Sequence, residues 1–124
     1  MTQPSEDATG RKQVLVVEDE VLIAMELEDA LRDGGFDVLG PAGSVNHALN
    51  LLNDERPHAA VLDVTLGREK VTPVALLLKS LGVPFILASA SDAAELARHH
   101  VLADALNLGK PTDLAQLVEV VRGL

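Results

Sequence analysis

The chain has 124 residues, 48 % of them hydrophobic, which fits one globular domain with an ordinary core and argues against global disorder. Its net charge of −9 argues against nucleic acid as a direct partner, because phosphate contacts need clustered Lys and Arg. With no cysteine, disulfides and thiolate metal sites are excluded. No apolar run is long enough to span a membrane, and the polar start lacks the apolar core of a signal peptide, so we expect a soluble cytoplasmic domain without a membrane partner.

Five short apolar segments predict β-strands. The first is continuous in apolar residues, as in strands that are buried on both faces of a parallel sheet, whereas the second is short and partly polar and the fifth is short. The five segments are residues 13–18, 36–40, 59–63, 84–89 and 104–109. The polar, unpatterned residues 1–12 predict a mobile tail, so that the folded domain occupies residues 13–124.

Helices are predicted between the strands. The first covers about residues 20–33, Ser44 is expected to cap the second, and Thr72 with Pro73 is expected to begin the third. Residues 91–102 have only a thin apolar stripe, which predicts a marginal helix there. The last helix has four apolar residues at helical spacing, Leu114, Leu117, Val118 and Val121.

Strands and helices that alternate five times indicate a parallel sheet with helices on both faces, joined by right-handed crossovers. This is an α/β fold of the doubly wound class, and the periodicity alone leaves two strand orders open. In such sheets, ligands bind outside the carboxyl ends of the strands. The residues that follow each strand are therefore the candidates for function.

Polar side chains gather at four of these strand ends, and they are Glu18, Asp19 and Glu20, then Asp63, Ser89 and Lys110. Each has an ordinary structural explanation as well. Acidic residues suit a helix start, an aspartate can cap a turn, and serine or lysine is common in a loop. Only their joint placement on one edge of the sheet favours a functional site.

The residue types at this edge suit phosphoryl transfer. Crowded carboxylates repel one another, and Mg²⁺ relieves that repulsion while it binds phosphate oxygens. A carboxylate can attack a phosphoryl group to form an aspartyl phosphate, and a cation and a hydroxyl donor can neutralise the transferring group. Asp63, with Mg²⁺ and Lys110 beside it to keep it ionised, is therefore the candidate phosphoacceptor.

Four segments, VLVVEDE, AAVLDV, ILASAS and LGKP, together resemble the receiver domain of bacterial two-component response regulators over residues 13–124. The resemblance implies a flavodoxin-like (βα)5 fold of three layers, with a five-stranded parallel sheet in the order 2-1-3-4-5. It also implies a sensor histidine kinase or a phosphotransfer protein as phosphoryl donor, and a downstream protein target that the sequence does not name. The chain ends after the last helix, so it is either a stand-alone receiver or part of a longer protein. The N-terminal Met and the tail that follows it favour the stand-alone receiver, which would act by phosphorylation-gated protein contact or as a phosphoryl shuttle or sink.

The same resemblance implies roles for individual residues. The implied roles are phosphoacceptor for Asp63; Mg²⁺ ligation by Asp19, Asp63, the backbone carbonyl of Thr65 and, through water, Glu18; and phosphate stabilisation and switching by Lys110, Ser89 and Ala90. The bond before Pro111 is expected to be cis.

A narrower resemblance and one departure refine this expectation. The sequences at 73–75 and 84–85 are similar to receivers that work with HWE-class histidine kinases, although the motif on strand four matches only in part. On strand five, Asn107 occupies the position of the usual aromatic switch residue, and the chain has no Tyr or Trp. We therefore expect loose packing between strands four and five, a segment 91–102 that is mobile or partly helical, and little change at Asn107 on phosphorylation.

Two other functions stay open. An aspartyl-nucleophile phosphohydrolase would use the same Asp63 and Mg²⁺, but such enzymes usually have a second aspartate two residues later, where this chain has Thr65. A receiver-like interaction module that is never phosphorylated would have no need of the set Asp19, Asp63 and Lys110.

Overall fold

The computed structural model describes residues 10–124, so residues 1–9 of the predicted tail lie outside the described part. The strands are β1 (Gln13–Val17), β2 (Asp37–Ala42), β3 (Ala59–Leu62), β4 (Thr65–Leu66), β5 (Glu69–Lys70) and β6 (Phe85–Leu87). The helices are α1 (Val21–Asp33), α2 (Val45–Asp54), α3 (Thr72–Leu81), α4 (Ala93–Ala97) and α5 (Leu114–Arg122). Lys12 belongs to the predicted tail, but its carbonyl accepts a hydrogen bond from the Asp37 N–H at the edge of the sheet, at 2.9 Å.

The main sheet is parallel, with the strand order β2-β1-β3-β6. β1 therefore lies between β2 and β3, and Val14 of β1 pairs with Ala59 of β3. Helices lie between the strands along the chain, as the alternating pattern predicts. The order agrees with the first four strands of the doubly wound fold that the sequence analysis expects, so this part of the prediction is confirmed.

The fifth strand is shorter than predicted. One isolated bridge, between Leu87 and Asn107, pairs this segment with β6. Two backbone hydrogen bonds of 2.8 Å accompany it, from Leu87 N to Leu106 O and from Leu108 N to Leu87 O. Beyond the bridge, the backbone of Ser89 forms hydrogen bonds with the side chain of Asn107. In a longer fifth strand, backbone groups of that strand would make such bonds. The segment occupies the place of strand five, but the prediction of a full strand over 104–109 is wrong.

The core forms two layers, one on each face of the sheet, because successive strand side chains point to opposite faces. Val14 and Val16 pack in a cluster with residues of α1 and α5. Leu15 and Val17 pack in a second cluster with residues of α2, α3 and α4. These four β1 side chains are fully buried, and burial of each contributes roughly 1.5–3 kcal/mol. The packing fixes β1, and with it the residues at its carboxyl end.

The helix starts include one correct and one wrong expectation. Ser44 is the N-cap of α2, and its side chain accepts a hydrogen bond from the backbone N–H three residues on, at 3.1 Å. Thr72 is not the N-cap of α3. The N-cap is Val71, one residue before Thr72. Val71 has helical backbone angles, and its carbonyl accepts a hydrogen bond from the Val74 N–H at 2.9 Å. Within residues 91–102 only α4 is an α-helix, which agrees with a partly helical segment.

β4 and β5 form a short antiparallel hairpin that the sequence pattern does not reveal. Gly67 follows β4 with a φ of +62°, a conformation that glycine adopts without strain. The hairpin begins at Thr65, two residues after Asp63, and so follows the carboxyl end of β3 closely. Among the helices of the described residues, none has both the length and the apolar character needed to cross a membrane.

Candidate functional site

Asp63 lies at the carboxyl end of β3, one residue beyond the strand. Its backbone N–H donates to the Val17 carbonyl at 2.9 Å, which continues the pairing of β3 with β1 and fixes the position of the residue. Its side chain is 9 % exposed. A carboxylate this buried needs a charged or hydrogen-bonding partner, because desolvation disfavours the ionised form.

Lys110 is that partner. Its Nζ donates a hydrogen bond to Asp63 Oδ2 at 2.9 Å and lies 2.8 Å from Glu18 Oε1, with Glu20 Oε1 farther away at 3.7 Å. Burial by itself would lower the pKa of Lys110, but the bonds to Glu18 and Asp63 outweigh burial and raise the pKa above its ordinary value. Lys110 therefore stays charged at neutral pH. The peptide bond between Lys110 and Pro111 is cis.

Glu18 has a more deeply buried side chain than its neighbours Asp63 and Lys110. It follows β1 directly, and its backbone N–H donates to the Ala42 carbonyl at 2.9 Å. Its side chain is fully buried, and Oε2 accepts from the Glu20 N–H at 3.1 Å. Burial raises the pKa of Glu18, and the opposing effect of the bond to Lys110 is smaller. Glu18 thus depends on Lys110 for charge compensation.

Asp19 completes a cluster of three acids. Oxygens of Glu18, Asp19 and Asp63 all lie within 4.8 Å of one another. Asp19 is exposed, and its Oδ2 accepts a hydrogen bond from the Gly67 N–H in the β4–β5 turn at 2.8 Å. A donor set made only of oxygens, open to solvent on one side, suits a hard cation such as Mg²⁺, which uses few carboxylates and keeps several waters. The cluster could therefore hold a divalent metal.

A cavity of about 340 Å³ lies above the acids. It is lined by six of the predicted site residues, Asp19, Asp63, Thr65, Ser89, Ala90 and Lys110, and also by Glu20, Gly67 and Ser91. Glu18 and Asn107 do not line the cavity, but each bonds to a residue that does, Glu18 to Lys110 and Asn107 to Ser89. The strand ends of the parallel sheet and the hairpin thus bring these predicted residues together around one cavity.

Lys70 links the β4–β5 hairpin to α4, and the sequence offers no sign of this contact. Its Nζ donates to Thr65 Oγ1 at 3.0 Å and to Glu95 Oε1 at 2.8 Å. The bond to Lys70 lowers the pKa of Glu95. Both charged side chains are partly exposed, so solvent screening weakens the pair. Lys70 lies in a strand of only two residues, which is too short for any periodicity that would have predicted the contact.

Ser89 and Asn107 meet beside the cavity. Ser89 Oγ donates to Ser91 Oγ at 3.1 Å and accepts from the Ser91 N–H, also at 3.1 Å. Asn107 Oδ1 accepts from the Ser89 N–H at 3.0 Å, and Asn107 Nδ2 donates to the Ser89 carbonyl at 3.1 Å. From the sequence alone, Asn107 is noticeable only because it stands where an aromatic ring is usual. The available sign was an amide in an apolar segment, since partly buried amides are normally hydrogen-bonded.

Comparison with known proteins identifies the family. The family model described as the response regulator receiver domain matches residues 14–122. The chain belongs to this family. Receiver domains are the phosphorylation-controlled modules of two-component systems, and they bind Mg²⁺ at an acidic pocket. The predicted family is therefore confirmed, and the acidic cluster lies where the family's metal pocket would be expected from the fold.

Two curated relatives illustrate the similarity. The transcriptional regulatory protein PdtaR of Mycobacterium tuberculosis is 30 % identical over 125 residues, which cover 98 % of this chain and 61 % of PdtaR. The phyllosphere-induced regulator PhyR of Methylorubrum extorquens is 35 % identical over 81 residues, which cover 63 % of this chain and 30 % of that protein. The receiver domain described here thus spans less than two thirds of the length of these relatives.

Solved structures show the same fold. A response regulator receiver protein from Sinorhizobium medicae has a TM-score of 0.81 at 24 % identity, covering 94 % of this chain and 95 % of that one. The receiver domain of PhyR from Erythrobacter litoralis has a TM-score of 0.80 at 27 % identity, covering 94 % and 92 %. The flavodoxin-like, doubly wound α/β fold predicted from the sequence is confirmed.

Proposed function

We propose that this receiver domain accepts a phosphoryl group on Asp63 from a sensor histidine kinase or a phosphotransfer protein, in a Mg²⁺-dependent reaction. The observation that supports the proposal most directly is the hydrogen bond between Lys110 Nζ and Asp63 Oδ2, 2.9 Å long, at the edge of the open cavity. Lys110 compensates the charge that a nucleophilic carboxylate must have. In this role the domain signals in the cytoplasm, by phosphorylation-gated contact with a target protein or as a phosphoryl shuttle or sink.

In the proposed step, an oxygen of the Asp63 carboxylate attacks the phosphorus of phosphohistidine. A P–O bond forms and the P–N bond breaks; its electron pair stays on the imidazole nitrogen, which takes a proton from solvent. The transferring group has negative charge on its equatorial oxygens, so catalysis consists mainly of positioning and charge neutralisation. We assign these tasks to the ammonium of Lys110, the hydroxyl of Ser89 and the backbone N–H of Ala90, which all line the cavity.

For Mg²⁺ we propose Asp19, Asp63 and the backbone carbonyl of Thr65 as ligands, with Glu18 acting through water. The proximity of the three acids supports this assignment, and so does the exposure of Asp19, through which a hydrated cation can enter. When bound, Mg²⁺ would neutralise negative charge on the acids and on the phosphoryl oxygens. For the kinase we propose the HWE class, on the sequence similarity at 73–75 and 84–85.

The phosphohydrolase alternative has less support. It would need an acid two residues after Asp63, and that residue is Thr65, whose side-chain oxygen accepts a hydrogen bond from Lys70. A threonine hydroxyl does not supply or remove protons near neutral pH as a carboxyl group can. An interaction module that is never phosphorylated has no need of an open cavity that brings Asp19, Asp63 and Lys110 together.

Intact-mass spectrometry tests the proposal. Incubation with acetyl phosphate and Mg²⁺ should add one phosphoryl group to the wild type and none to the Asp63→Asn variant. Asp104→Asn is the matched control, because Asp104 is an exposed aspartate outside the site and its removal should leave labelling unchanged. Labelling that persists in Asp63→Asn would contradict the assignment, and steady hydrolysis of a generic phosphomonoester would favour the phosphohydrolase.

A further inference from the structure

We propose that Asn107 is a positioning residue for phosphoryl transfer. Its side-chain amide ties the Ser89 strand end to the Gly109–Lys110 turn, and so holds two of the groups that surround Asp63 in one arrangement. The inference rests on the proposed function, since it concerns the same site. It assigns a physical role to the position at which an aromatic ring was expected.

The amide of Asn107 uses its full hydrogen-bonding capacity. Oδ1 accepts from the N–H groups of Ser89 and Gly109, each at 3.0 Å. Nδ2 donates to the carbonyls of Ser89 at 3.1 Å and of Ser91 at 3.2 Å. A primary amide has two donor hydrogens and one oxygen with two lone pairs, so these four bonds saturate it. Asn107 is therefore held in one orientation from four directions.

These bonds reach both segments that flank the site. Ser89 follows β6 and its side chain lines the cavity. Gly109 immediately precedes Lys110, whose Nζ lies 2.9 Å from Asp63 Oδ2. The backbone pairing between the two segments stops at the bridge between Leu87 and Asn107. Past that bridge, the amide of Asn107 joins the segments.

An amide couples the two segments differently from a packed ring. Hydrogen bonds weaken steeply when their angle departs from linearity, so a shift of Ser89 toward a phosphoryl group must either break two bonds to Asn107 or move the amide with it. Movement of the amide would also displace the Gly109 N–H. Asn107 should therefore move or lose hydrogen bonds on phosphorylation, in contrast to the small change expected from the sequence.

The test compares Asn107→Leu, which removes the amide at similar volume, with the control Asn50→Leu, which makes the same change at an exposed position on α2. The first measurement is the rate of phosphorylation by acetyl phosphate at saturating Mg²⁺, divided by the folded fraction from circular dichroism. We expect Asn107→Leu to react at least about tenfold more slowly, because small misplacements of reacting groups cost large rate factors. Asn50→Leu should react at the wild-type rate.

The second measurement is amide hydrogen exchange of the unphosphorylated domain. In Asn107→Leu, the amides of Ser89 and Gly109 should both exchange faster while β1 keeps its protection. A residue that only stabilised the fold would change protection everywhere and leave the rate per folded molecule unaltered. If Asn107→Leu does not fold, Asn107→Asp takes its place. It keeps the two accepted bonds and loses the two donated ones, so we expect protected amides and an intermediate rate.

A folded Asn107→Leu domain that reacts at the wild-type rate, or that keeps both amides protected, would overturn the inference. For Asn107→Asp, a wild-type rate would do the same. If the wild type itself takes no phosphoryl group, the proposed function fails, and hydrogen exchange alone decides whether Asn107 joins the two segments. Joint loss of protection then supports the connection, and retained protection refutes it.

Discussion

Replacement of Lys110 by methionine should strongly destabilise the domain in the absence of a divalent metal. The ammonium pairs with Glu18 and Asp63, whose side chains are 0 % and 9 % exposed. Removal of one partner from a buried ion pair leaves uncompensated charge and typically costs about 3–5 kcal/mol. A domain of this size has a total stability of roughly 5–15 kcal/mol, so the loss would be a large part of it. Mg²⁺ should restore some of the stability, because it compensates the same carboxylates.

Urea unfolding followed by far-ultraviolet circular dichroism would measure this loss, since the chain has no Trp or Tyr for a fluorescence assay. Lys79→Met is the control, because Lys79 is exposed on α3, and its effect should stay within about 0.5 kcal/mol. Adding Glu18→Gln to Lys110→Met should recover part of the loss, because a neutral amide needs no counter-charge. A loss below about 1 kcal/mol in Lys110→Met without metal would refute the view that Lys110 compensates buried charge.

Three further outcomes are expected. In a Mg²⁺ titration followed by amide chemical shifts, changes should centre on residues 18–20 and 63–66, and Asp19→Asn should weaken binding; shifts spread evenly over the acidic surface would contradict the site. The bonds to Glu18 and Asp63 raise the pKa of Lys110 above the ordinary lysine value of about 10.4. The stability that Lys110 contributes should therefore be complete at neutral pH and should fall as the pH rises through the raised pKa. Lys110→Met should lack this alkaline loss, and equal loss in both proteins would argue against it. Beryllofluoride, an acyl-phosphate mimic, should slow amide exchange across residues 89–100, whereas a helix equally protected in both states would show that coupling runs elsewhere.

The sheet and most of the site could be predicted because they depend on short, local patterns. The segment at β3 is apolar without interruption, which is typical of a strand covered on both faces, and Asp63 breaks the pattern at its end. Once the strands are parallel, their carboxyl ends share one edge, so Asp19 and Lys110 are expected near Asp63 although they are distant in sequence. The ion pair of Asp63 with Lys110 follows from this topology.

The features that were missed depend on particular contacts. The β4–β5 hairpin has two residues in each strand, too few to show any periodicity. β2 extends to Ala42, two residues beyond the predicted end at Gly40. Gly40 has a φ of +95° and lies where the register with β1 shifts, and neither this backbone conformation nor the register shift is visible in the composition. The N-cap of α3 is Val71 rather than Thr72, since backbone conformation there overrides side-chain preference.

Asn107 shows a different kind of limit. The sequence indicates that a ring is missing on strand five, and from this alone we expected loose packing and a silent residue. The amide instead makes four hydrogen bonds and takes over part of the pairing that a longer strand would make. The lack of an aromatic ring at this position therefore did not reveal the hydrogen bonds that Asn107 makes there.

Locating the phosphoryl group tests directly whether Asp63 is the phosphoacceptor. After reaction with acetyl phosphate and Mg²⁺, borohydride reduces an aspartyl phosphate to homoserine, and peptide mass spectrometry then identifies the altered position. We expect homoserine at position 63 alone, and only in the phosphorylated protein. Reduction at Asp19 or at another acid, or no reduction in a protein that has gained a phosphoryl group, would contradict it.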